Sequence, residues 1–85
     1  MEKITTTIRS VLDTHAFLAV PISSLSDFDD LYASGMTSHV SVNVMLALED
    51  EFDVEFPDAV LRRSTFESIN AIREALLSLG ASDEP

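Results

Sequence analysis

The sequence predicts an all-α fold: a small bundle of four helices, three longer and one short, with a long loop after the first. Three observations carry that expectation. Apolar residues recur at helical spacing in three separate stretches. Only two Gly and three Pro occur in 85 residues, too few for a turn-rich β fold. A hydrophobic fraction of 46% argues against disorder, and 85 residues make one domain with a modest core, too small for a deep enclosed active site. Residues 1–79 are expected to form that domain and residues 80–85, GASDEP, a polar tail.

The first helix runs from residue 2 to about 17. Ile4, Ile8, Val11 and Leu12 form one core-facing stripe, while three consecutive threonines weaken its intrinsic propensity, so packing must hold it. His15, near the C-terminal end where the helix dipole favours a cation, reads as a surface or capping residue. Residues 18–37 then make a loop of about twenty residues, a length that needs a packing or functional reason. Ile22, Leu25, Phe28 and Leu31 recur at every third position, which predicts short turns pinned to the core. Asp27, Asp29 and Asp30 fail as a calcium loop. Counting from Asp27, the sixth position is Tyr32 where glycine is needed and the twelfth is Ser38 where glutamate is needed.

The second helix organises the chain. It begins at Gly35-Met36-Thr37-Ser38, where hydroxyls can accept from unpaired first-turn N–H groups, and runs about four turns into an acidic stretch before Pro57. At 100° per residue, Val44, Met45, Leu48 and Phe52 face the core. Leu46 lies opposite with His39, Asn43 and Asp50, and Val42 sits at the boundary. A helix with a second, partly apolar face has room for a partner, and Ser38 is its exposed chemical handle. Pro57 and Asp58 open a short helix through about Leu61. Arg62 and Arg63 are expected to pair with the acidic stretch. Thr65 is expected to cap a last helix built on Phe66, Ile69, Ile72, Ala75, Leu76 and Leu79, which Gly80 ends.

Charge narrows the function. A net charge of −10 disfavours phosphate backbones and anionic lipid, so neither nucleic acid nor membrane is an expected partner. Glu49, Asp50, Glu51, Asp53, Glu55 and Asp58 fall in one stretch without a base, a local field suited to a basic protein surface. No apolar run approaches the length of a bilayer span, and Met1-Glu2-Lys3 has no signal-peptide character, so the cytoplasm is the expected compartment. Without Cys there is no thiolate metal site and no cysteine nucleophile. Ser38 and His39 are neighbours whose side chains diverge by about 100° on a helix, badly placed for proton transfer. No catalytic residue and no metal site is assigned, and the protein is not expected to be an enzyme.

Asp30-Leu31, Gly35-Met36-Thr37-Ser38, the run Leu46–Asp58 and Thr65-Phe66-Glu67-Ser68-Ile69 together resemble an acyl carrier protein across nearly the whole chain. The resemblance implies that a phosphopantetheinyl transferase attaches phosphopantetheine from coenzyme A to Ser38, and that the arm's thiol carries acyl groups as thioesters. Ser34 and Ser41 are the competing serines. The family's usual Asp-Ser-Leu reads Thr37-Ser38-His39 here, and Val40 and Asn43 stand where fatty-acid carriers commonly place carboxylates. That departure points away from the housekeeping fatty-acid carrier. The sequence is most similar to small stand-alone carriers of proteobacteria, including those loaded with amino acids by ligases that resemble truncated seryl-tRNA synthetases. The partners so implied are the transferase, an acyl or amino acid:carrier protein ligase and a downstream acceptor enzyme, met by a monomer through Thr37, His39, Val42, Asn43, Leu46 and Asp50. The alternative is an acidic helical interaction module without a prosthetic group, presenting Leu46, with Ser38 a simple cap.

Overall fold

The computed structural model describes residues 3–81. Three α-helices cross them: α1 (Lys3–His15), α2 (Ser38–Phe52) and α3 (Ile69–Ser78), with 3-10 turns at Ile22–Ser24, Asp58–Val60 and Arg63–Phe66 and no strand among the described residues. The α1 stripe is buried as its spacing predicts: Ile4, Ile8 and Leu12 are fully enclosed and Val11 nearly so. α1 lies against both α2 and α3, so its one apolar face serves as the common floor of the core. Val44 and Leu48 of α2 and Ile69, Ile72 and Leu76 of α3 complete that core from the other two helices. The Cα radius of gyration is 11.6 Å, matching the about 12 Å of a folded chain this long.

The long loop is pinned down. Leu25, Leu31 and Met36 are buried, and Ile22 packs partly against the core. Its backbone is tied to the chain around α3 by Leu31 N–H to the Glu67 carbonyl, 2.7 Å, and by Asn70 N–H to the Asp27 carbonyl, 2.8 Å. Asp27 also receives the Arg9 guanidinium at 2.7 Å. Asp29 accepts from the Ser26 N–H, and Asp30 from the Tyr32 and Ala33 N–H groups. These carboxylates hold the loop and do not converge on a cation. Phe28 corrects the sequence reading. It sits in the turn between Leu25 and Leu31 and is 76% exposed, so the three-residue period skips it.

The second half departs from the expected four-helix bundle. The short helix expected over residues 57–61 is a single 3-10 turn, and a second such turn follows. Leu61 breaks the run at ψ 74° and stays partly in solvent, and Val60 alone offers an apolar anchor. One anchor does not offset the cost of nucleating a helix. α3 also starts later than expected. Thr65 does not cap it, because its hydroxyl donates to the Val60 carbonyl at 2.6 Å. Ser68 takes that place, its Oγ accepting from the Ala71 N–H at 3.0 Å. Phe56 and Phe66, rings 5.5 Å apart and tilted by 57°, close this corner over the core. Gly80, at φ 100°, ends α3 as expected, while residues 82–85 of the polar tail lie outside the described residues.

Candidate functional site

The start of α2 sorts its hydroxyls by task. Thr37 has extended backbone angles, and its Oγ1 accepts from the Val40 N–H at 3.1 Å, so Thr37 is the N-cap. Ser41, nearly buried, donates its hydroxyl to the Ser38 carbonyl at 2.7 Å. Ser34 donates to the Asp30 carbonyl at 3.0 Å. Ser38 is the first residue of the helix; it is exposed, and its hydroxyl bonds to no described residue. The competing serines are both engaged, and the cap that could have explained Ser38 belongs to its neighbour.

Two concavities flank α2. The first, about 350 Å³, lies between α2 and the 3-10 turns. Ser38, Val42 and Met45, at intervals of four and three, supply one wall, and Leu61, Phe66 and Tyr32 the other. Arg62 and Arg63 also line it, and no carboxylate does. The bases expected to pair with the acidic stretch therefore do something else. Arg62 Nε donates to the Ala59 carbonyl, and the Arg63 guanidinium lies 3.8 Å from the centre of the Tyr32 ring. The second concavity gathers Asn43, Leu46, Asp50 and Glu51 of α2 with His15 and Phe17 from the end of α1. Leu46 and Val42, at 52% and 50% exposure, are neighbours four residues apart on one exposed face of α2, Val42 bordering the first concavity and Leu46 the second, and His39 is exposed above Asn43.

Sequence reasoning missed Phe17. Ala16 is fully buried, and the chain then turns to φ 51° at Phe17, leaving that ring 75% exposed beside the Leu46 groove. Phe17 lies three and four residues after Thr14 and Asp13, off the apolar stripe of α1, and that spacing is the signal that sets it apart from the core.

The residues present fit a phosphodiester-linked arm. An exposed, unengaged hydroxyl stands at the N-terminus of a fifteen-residue helix whose first turn holds no acid. The N–H groups of that turn lack intrahelical acceptors, and the dipole favours an anion there. Among the described residues no helix is long and apolar enough to cross a membrane, and no His/Cys/Asp/Glu cluster could hold a metal ion.

Residues 2–76 match the family described as the phosphopantetheine attachment site. An aminoacyl carrier protein of Agrobacterium fabrum is 44% identical over 70 residues, covering 82% of this chain and 84% of its own. A chain in the crystal structure of an engineered Bradyrhizobium japonicum glycine:[carrier protein] ligase, complexed with carrier protein from Agrobacterium tumefaciens and AMP, superposes with a TM-score of 0.84 at 42% identity. It covers 86% of this chain and 97% of that one. In the Bradyrhizobium japonicum ligase complexed with glycylated carrier protein, the TM-score is 0.73 at 25% identity, over 85% of this chain and 96% of that one.

Proposed function

The chain belongs to the phosphopantetheine attachment-site family of carrier proteins, and from that premise we propose that it is a stand-alone aminoacyl carrier whose arm is attached at Ser38. One observation carries the assignment of the residue: of the three serines near the start of α2, Ser38 alone offers an exposed hydroxyl with no hydrogen bond to a described residue. A transferase joins the serine oxygen to the pantetheine-bearing phosphorus of coenzyme A, adenosine bisphosphate leaves, and the hydroxyl proton passes to the transferase. The bound arm supplies the thiol this Cys-free chain lacks. The chain contributes an anchor and a docking face, and catalysis lies with its partners.

The amino acid as cargo is supported by the 44% identical aminoacyl carrier of Agrobacterium fabrum and by the likeness to chains in ligase complexes. The loading partner is then an amino acid:carrier protein ligase, with an acceptor enzyme downstream, all in the cytoplasm and with the carrier as a monomer. Thr37, His39, Val42, Asn43, Leu46 and Asp50 form the face these partners meet. The apolar Leu46 and Val42 give contact area, and the acids beyond them complement a basic surface.

Intact mass after incubation with coenzyme A and a broad-specificity transferase tests the anchor. Wild type gains one phosphopantetheine and Ser38→Ala gains none. The loaded protein offered glycine, ATP and a glycine:carrier protein ligase then gains one glycyl group. A folded wild type that accepts no arm across several transferases defeats the carrier reading and leaves the acidic interaction module.

A further inference from the structure

Five bases face fifteen acids in this chain, and their placement is uneven. Arg9 is held by Asp27 at 2.7 Å, and Arg73 lies 3.0 Å from Glu74. Arg62 and Arg63 form no ion pair with any described residue, although the acidic run ends only a few residues before them. Both line the cavity beside Ser38, from which carboxylates are absent.

Most of their donors are unspent. Arg63 stacks its guanidinium on Tyr32, at 3.8 Å, and Tyr32 lines the same cavity. Stacking uses the face of the guanidinium and leaves its in-plane N–H groups available. Arg62 gives Nε to the Ala59 carbonyl at 3.2 Å, which steadies its stem and leaves both terminal nitrogens free of any described partner. On a chain of net charge −10, the two adjacent arginines and the positive end of α2 together concentrate positive potential beside one exposed hydroxyl.

We propose that Arg62 and Arg63 bind the phosphodiester of the arm carried on Ser38, fixing the direction in which the arm leaves the domain. A phosphodiester presents two non-bridging oxygens and one negative charge, and the planar guanidinium fork matches that geometry through charge-assisted hydrogen bonds. The arm is held at its root, and its thiol end stays free to reach partners. This rests on Ser38 as the attachment site.

The full chain is compared before and after loading from coenzyme A, with intact mass confirming the arm. In wild type, attachment shifts the side-chain Nε–Hε resonances of Arg62 and Arg63 and leaves those of Arg9 and Arg73 in place. The ³¹P line of the loaded protein narrows in R62Q and in R63Q, narrows further in the double variant, and narrows in wild type at high salt. Arginine resonances that ignore loading, with a ³¹P line unchanged in the double variant, overturn the clamp and leave the Ser38 assignment intact. The wild-type comparison needs no substitution, so it decides the matter even if a variant fails to fold. A wild type that gains no mass overturns the Ser38 assignment itself and the clamp with it.

Discussion

At the start of α2 a hydroxyl can either accept from the helix's own N–H groups or stay free for chemistry, and Thr37 and Ser38 take one task each. Thr37→Ala should therefore destabilise the apo domain by about 1 kcal/mol, read by urea denaturation, while Ser38 still accepts the arm. Ser38→Ala should leave stability nearly unchanged and abolish loading. A large loss of stability in Ser38→Ala would mean that its hydroxyl holds the helix after all. Phe17 makes the opposite kind of test. A bulky side chain at φ 51° is strained, and a ring 75% exposed gains little from burial in return. Phe17→Gly should raise stability by about 1 kcal/mol, roughly 4–8 °C in the thermal midpoint of a domain this small. A midpoint that falls would show that the ring packs on the fold and does not merely border the Leu46 groove.

Among the elements, the long loop after α1 depends most on one residue. Gly35 has φ 120°, and a Cβ there would lie 2.8 Å from the Ala19 backbone nitrogen, which itself donates to the Ser34 carbonyl. Two strands of loop thus cross at a spacing that only glycine allows, just before α2 begins. Gly35→Ala should cost roughly 1–3 kcal/mol through strain and displacement of this crossing, measured by thermal unfolding of the apo protein. An unchanged midpoint would show that the crossing relaxes freely. The helices that enclose the core were legible because their periodicity is long: Ile4 to Leu12 and Val44 to Leu48 repeat at the spacing of one face. The rest was not, for local reasons. Phe28 shares the loop's three-residue rhythm yet points outward, and Thr65 resembles a cap yet spends its hydroxyl on Val60. Residues 57–66 carry too few apolar positions for any period to settle between a helix and 3-10 turns. Ser38 and the α2 stripes could be read from spacing and motif. The arginine-lined cavity could not, because it joins α2 to residues some twenty positions later through contacts that no local pattern encodes.

Across the whole molecule, charge acts on folding and on association with opposite sign. Asp50, Glu51, Asp53, Glu55 and Asp58 are all exposed at one end of α2 and just beyond it, whereas Glu49 is partly withdrawn, accepting from the Phe56 N–H at 2.8 Å. With a net charge of −10, these exposed acids repel one another in the compact state, and salt screens that repulsion. The thermal midpoint of the apo domain should therefore rise with sodium chloride over the first few hundred millimolar. Neutralising Asp50 and Glu51 together as Asn and Gln should raise it at low salt and flatten the dependence. A basic partner surface is drawn to the same field, so its association rate should fall over the same salt range, and fall less for the double neutralised variant. A chain that merely used acidity for solubility would show the first trend without the second. Both trends in one protein, each reduced by the same two substitutions, would place the docking field at the C-terminal end of α2, on the far side of Leu46 from the uncharged turn that bears Ser38.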